Sequence, residues 1–268
     1  MKKKEQSTLN FIMGALVFSS CLFLGLLVCL ELGRRWGGRQ LRLDPEGARI
    51  GTGAVEGAVF ALLGLLIAFT FSGAADRLDR RRIQIVDEAN AIGTAWLRLD
   101  LLPAASQPAV RELFRQYVDS RLAAYQKLSG SGLAAAQREL EHSVVLQNEI
   151  WRASVAGAGS SPTVAATTVL LPALNEMFDI VTTRAASAYM HPPPAIFALL
   201  FVLCLAGALF AGAAMAGGRT RNALHVIGFA AIMSASVYLI IDLEFPRYGL
   251  IRIDAADQLL VDVRKSMD

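Results

Sequence analysis

Residues 57–103 read GAVFALLGLLIAFTFSGAADRLDRRRIQIVDEANAIGTAWLRLDLLP. The first nineteen, Gly57 to Ala75, carry no charge, and no turn signal separates them from the charged helical pattern that follows. An uncharged run of that length belongs in lipid or in a membrane bundle, and the charged continuation belongs in water. One continuous helix that leaves the bilayer and enters a solvated domain couples a membrane passage to a soluble sensor or scaffold. No catalytic motif elsewhere competes with this clue.

Working outward, the bulk numbers agree with a membrane chain. Of 268 residues, 54% are hydrophobic and 18% charged, with a mean hydropathy of +0.44. Soluble domains carry about 25% charged residues, so the balance has moved toward lipid. Four segments reach spanning length: residues 11–30, 57–75, 195–218 and 222–241. About twenty helical residues cross about 30 Å of hydrocarbon, so all four qualify. The expected fold is an all-α polytopic membrane protein with four transmembrane helices and a cytoplasmic helical bundle. The chain divides into residues 1–75 (two spans and a short Arg/Gly-rich connecting loop, 33–53), 76–191 (cytoplasmic helices), 192–242 (two further spans) and 243–268 (a cytoplasmic tail).

The first span reads as uncleaved, because Leu32-Gly33-Arg34-Arg35-Trp36 offers no small-x-small cleavage site. Phe18-Ser19-Ser20-Cys21 makes a poor lipoprotein signal. Four spans place both termini and the middle region on one side. That side holds Lys2, Lys3, Lys4, Arg77, Arg80, Arg81, Arg82, Arg247 and Arg252, nine in all, against seven on the other (Arg34, Arg35, Arg39, Arg42, Arg49, Arg219 and Arg221). The positive-inside rule therefore favours cytoplasmic termini. Basic residues flank every span as headgroup anchors, so membrane lipids are the expected partners and nucleic acid is not.

Within 76–191 twelve basic residues balance twelve acidic ones. Ile85, Ala89, Ile92, Trp96 and Leu99 recur at four and three, the seam of a helix packed in a bundle. Val110, Leu113, Phe114, Tyr117, Val118, Leu122 and Tyr125 make a second apolar face, and Leu133, Ala136, Leu140, Val144 and Trp151 a third. Gly130-Ser131-Gly132 and residues 157–162 mark breaks. Residues 163–190 contain Pro172 and should bend there, with 164–174 a buried helix rather than a re-entrant loop. Asp44-Pro45-Glu46-Gly47 reads as a turn, and the connection at 217–221 is tight.

The candidate site lies on the second span. Gly57, Ala61, Gly64, Ala68 and Ser72 form a stripe of small residues at helical spacing, with Leu65 and Phe69 adjoining it. Such a stripe serves close helix packing or lines a pore whose apolar constriction gates by dewetting. Below it Asp76, Arg77, Asp79, Arg80, Arg81 and Arg82 form a collar. In a single chain the collar anchors headgroups; in a ring of copies it becomes a mixed-charge pore exit. Asp87, Asn90, Thr94 and Arg98 share a polar face that suits a subunit interface. Glu56, Asp242 and Glu244 lie at span ends where a carboxylate is expensive, and a functional role accounts for them about as well as snorkelling or pairing with Arg247. Cys21, Cys29 and Cys204 read as small apolar fillers. The three histidines lack partners at ligand spacing, and GxSxG, P-loop, GxGxxG and HExxH are absent. Neither a metal, a cofactor nor an enzyme is expected.

Several passages resemble the bacterial bestrophin-like domain family, formerly a domain of unknown function. They are residues 63–72 (LGLLIAFTFS), 87–94 (DEANAIGT) with 97–103 (LRLDLLP), 171–176 (LPALNE) and 242–249 (DLEFPRYG). More remotely the chain is similar to bestrophin ion channels, through its topology and a second span that continues into a cytosolic helix. The resemblance implies a homo-oligomer, a pentamer in true bestrophins, in a bacterial inner membrane. It also implies permeant ions and a second span lining a central pore, with the stripe toward the axis. The chain departs from true bestrophins at the neck, where Gly57, Ala61 and Leu65 stand in place of bulky side chains, and it shows no acidic calcium clasp. The other reading is a non-conducting scaffold or signalling protein that acts through its bundle.

Overall fold

The computed structural model of the chain describes residues 2–45, 52–128, 133–160, 164–218, 223–253 and 255–268. Every regular element among them is helical. Four stretches are long and apolar enough to cross a membrane, so the chain is a multi-pass membrane protein. Two compact units divide it: Phe11–Asp76 with His191–Phe245, and Met1–Asn10 with Arg77–Met190 and Pro246–Asp268.

In the apolar unit, α1 (Lys2–Leu43) runs eleven residues into the loop expected from residue 33. Its glycines are contact points with α6 (Pro194–Ala214), not helix breakers. A Cβ on Gly33 would meet the Leu209 carbonyl oxygen at 1.9 Å, and one on Gly212 would meet that of Leu30 at 2.1 Å. A Cβ on Gly37 would meet the Ala213 carbonyl oxygen at 2.7 Å and the Ala216 Cβ at 3.0 Å. Only residues without side chains permit this approach, which is the small-residue packing of membrane helices. Leu22, Leu26 and Leu30 are buried on the same side of α1, and Phe18 meets Phe201 with ring centroids 5.9 Å apart. The second helix, α2 (Thr52–Arg98), contributes Leu63 and Phe60 against Gly207 of α6. Phe60 also meets Phe229 of α7 (Ala223–Glu244) edge-on. Glu46 and Gly47 of the expected turn, and Arg219 and Arg221 between α6 and α7, lie outside the described residues.

The helical bundle begins on the lower half of α2. Ile85, Ala89, Ile92, Trp96 and Leu99 are all buried, as the seam spacing requires. After a 3-10 turn (Leu99–Leu101), α3 (Gln107–Leu128) brings Phe114, Tyr117 and Val118 into the same core. Trp96 packs against Phe114 and is covered from outside by the Arg111 guanidinium at 4.5 Å. The next helix, α4 (Leu133–Gly159), keeps Ala136 of the expected face buried and Trp151 packed against the core, but not Val144. Leu146 and Ile150 point inward, whereas Val144 is 50% exposed. The expected break at Gly130–Gly132 lies outside the described residues. The expected break from residue 157 is also displaced, since α4 runs through Gly157 to Gly159 and residues 161–163 are not described.

Pro172 stands in the first turn of α5 (Leu171–Tyr189), directly after a π-helical turn, Ala166–Leu170. Proline has no N–H to donate, so the first turn is where a helix tolerates it, and the wide turn before it accommodates the ring. Ala166, Leu170 and Leu174 are buried, which makes this segment a core helix. The tail adds an element the sequence did not announce, α8 (Gln258–Lys265). Leu260 and Met267 enter the core, Arg264 bonds Asp119 at 2.9 Å, and Arg115 donates to the Met267 carbonyl at 3.1 Å.

Candidate functional site

All seven stripe positions, Gly57, Ala61, Gly64, Leu65, Ala68, Phe69 and Ser72, are exposed in the single chain. Leu65 is 51% and Phe69 67% exposed, and a Cβ added to Gly57 or Gly64 would meet nothing within 4 Å. The opposite face of α2 does the packing: Leu63, Thr70, Ala74 and Leu78 are buried. Thr70 turns its hydroxyl back to the Leu66 carbonyl at 2.7 Å, so no polar group is left open on that side. Close packing within the chain is therefore the work of α1 and α6. The α2 stripe takes no part in it.

The exposed face does not end with the stripe. From Leu65 it continues through Phe69, Ser72, Asp76, Asp79, Ile83, Val86, Asn90 and Leu97 to Leu101 in the following 3-10 turn, with half-buried Thr94 between Asn90 and Leu97. These positions follow one another at three and four residues, with one step of four at Thr94 in place of three. That is the period of helices winding around a common axis. Ile83 (58%), Val86 (40%) and Leu97 (70%) are apolar groups standing open along it.

The collar is divided by the fold. Asp76, Asp79, Arg80 and Arg82 are exposed, with Arg82 beside Asp79 at 3.4 Å. Arg81 turns away and donates to the carbonyls of Ser187 and Met190, at 3.4 Å each. Gln84 follows it, bonding the Ser187 hydroxyl at 2.7 Å. Half-buried Arg77 is also engaged. Of the polar face below, Asp87 and Asn90 are exposed, and Arg98 donates to the Val169 carbonyl at 2.9 Å.

Three turns below the membrane run, α2 carries a second constellation. Glu88 is fully buried on the apolar seam, three residues after Ile85 and four before Ile92. Arg121 Nε donates to one carboxylate oxygen at 2.7 Å. The other oxygen accepts from the Tyr125 hydroxyl at 2.8 Å and from Arg184. Three guanidiniums surround the Tyr125 ring: Arg184 at 4.2 Å, Arg121 at 4.9 Å and Arg247 at 5.2 Å from its centroid. Arg247 is itself held by both oxygens of Asp257, at 2.9 and 3.3 Å. Burial raises the Tyr125 pKa, and the Glu88 charge adds to the shift. Burial likewise pushes neighbouring Tyr117 up to about 12. A carboxylate saturated with donors and phenols kept protonated are suited to holding helices together, not to moving protons.

At the foot of α7, Asp242 and Glu244 are buried. His191 Nδ1 lies 3.3 Å from Glu244, and its ring stacks on Phe245 at 4.9 Å. Among the described residues no group of His, Cys, Asp and Glu has metal-binding geometry.

A family model for the bestrophin-like domain matches residues 20–257. The chain belongs to that family. No curated protein and no solved structure matches it. The bestrophin-like region takes in the first span from residue 20, the other three spans and the whole Glu88 constellation, ending at Asp257, the residue that holds Arg247. Two of the family-like passages meet there, since Glu88 comes from the 87–94 segment and Arg247 from the 242–249 segment. Sequence reasoning passed over Glu88, although a signal was present. A carboxylate on a buried seam must find partners, because an unpaired charge there is far too costly.

Proposed function

We propose that this bestrophin-like chain is the subunit of a homo-oligomeric ion channel in a bacterial inner membrane, five copies around one axis, with α2 lining the pore. The observation that carries this reading is the continuous exposed face of α2. A helix of 47 residues spans roughly 70 Å, and a 3–4 repeat left open along most of that length suits neighbouring copies of the same helix. In the ring Gly57, Ala61, Gly64, Ala68 and Ser72 face the axis within the membrane. Leu65 and Phe69 supply the bulk of an apolar constriction. Asp76, Arg77, Asp79, Arg80 and Arg81 belong to the exit, with Asp76, Asp79 and Arg80 presented outward and Arg81 drawn back toward α5. The termini and the helical bundle are cytoplasmic in this arrangement.

Gly57→Trp tests the reading, because a Cβ added at Gly57 meets nothing within 4 Å in the subunit. In proteoliposomes the wild type should release trapped ions, and Gly57→Trp should slow the release at least tenfold. Equal flux through both would remove α2 from the axis. If the wild type passes no ions at all, the scaffold reading replaces the channel.

A further inference from the structure

The C-terminal half of α1, including its continuation over residues 33–43, presents a face that the pore reading does not use. Leu24, Val28, Leu32 and Trp36 follow one another at intervals of four, each 49–59% exposed. Beside the end of this apolar stripe stand Arg35, Arg39 and Arg42, all exposed and spaced four and three. Arg35 shares Glu31 with Arg34 and remains 70% exposed. Arg39 and Arg42 pair with no carboxylate among the described residues. Over roughly 10 Å of helix, one side thus changes from lipid-facing apolar groups to guanidiniums flanked by an indole.

The height of this change is set by the other side of α1. Gly33 lies against Leu209 and Ala213, and Gly37 against Ala213 and Ala216, where α6 ends. Arg35 is therefore level with the last turn of the apolar α6, and Arg39 and Arg42 stand beyond it. That is headgroup depth, where tryptophan also concentrates. Because the glycine crossing brings the two backbones together, the arginines are displayed at fixed positions.

We propose that Arg35, Arg39 and Arg42 form a docking face for the phosphodiester headgroups of anionic phospholipids in the leaflet at the C-terminal end of α1. Guanidinium presents two parallel N–H donors to phosphate oxygens, and the acyl chains lie along Leu24, Val28 and Leu32. The inference needs only the membrane placement and is independent of ion conduction.

The test is retention of phosphatidylglycerol against phosphatidylcholine of matched chains, offered together to the purified full chain and read by native mass spectrometry. The wild type should favour phosphatidylglycerol, the preference shrinking as salt rises. The triple variant Arg35→Gln, Arg39→Gln, Arg42→Gln should lose it by at least about fivefold per arginine. Arg138→Gln with Arg152→Gln on exposed α4 positions should keep it. A second measurement needs no variant: phenylglyoxal should modify Arg39 and Arg42 more slowly in phosphatidylglycerol nanodiscs than in phosphatidylcholine ones, with Arg138 unaffected. Equal retention of both lipids, an unchanged preference in the triple variant, or equal modification rates would overturn the proposal.

Discussion

Glu88 shows how one residue can decide the integrity of the bundle. Its carboxylate is reached by donors from α3 and α5, and Tyr125, which bonds it, is ringed by guanidiniums that include Arg247 of the tail. Replacing such a group with a neutral one leaves Arg121 and Arg184 buried without their counter-charge. Breaking a buried ion pair from one side costs about 3–5 kcal/mol. Glu88→Gln should therefore lower unfolding stability by about that amount, read from denaturant unfolding of the purified chain. Tyr125→Phe removes one donor and leaves the charges paired, and should cost only about 1–3 kcal/mol. A Glu88→Gln loss under about 1 kcal/mol would mean that the cluster contributes little.

At the scale of elements, two kinds of small residue behave oppositely. Gly212 on α6 and Gly33 on α1 carry a backbone crossing, whereas Gly64 on α2 faces open space. Gly212→Ala should force the helices apart and destabilise the membrane unit by about 1–3 kcal/mol or more. Gly64→Ala should be neutral or slightly stabilising, as alanine is the better helix former. Thermal unfolding in detergent separates the two, and equal effects would mean that the crossing is not as close as described. The same contrast shows what was legible in the sequence. The α2 run and its seam could be read directly, since Ile85, Ile92 and Leu99 recur at a helical period and nothing local competes. The continuation of α1 could not. Its glycines and arginines have loop composition, and only the partner α6 shows why glycine is needed there. Val144 on the α4 face was misjudged for a related reason, since Val144 and Leu146 are equally apolar and the packing of the bundle selects between them. Glu88 was hidden because its partners, Arg121, Arg184 and Tyr125, are far apart in sequence.

For the whole molecule, the central claim is that α2 is a shared helix, with one face held by its own chain and the other reserved for copies. The stripe and the bundle constellation lie on the same helix. Arg121, Arg184 and Tyr125 hold the Glu88 side inward, so Ile83, Val86 and Leu97 are turned outward in the bundle. An outward apolar line of this length is a liability for a lone chain and an interface for an assembly. The direct measurement is the mass of the full-length protein released from lipid nanodiscs, determined by native mass spectrometry. The account predicts a particle of five chains, and Val86→Arg with Leu97→Arg should convert it to single chains without unfolding the bundle. A wild-type particle of one chain would contradict it.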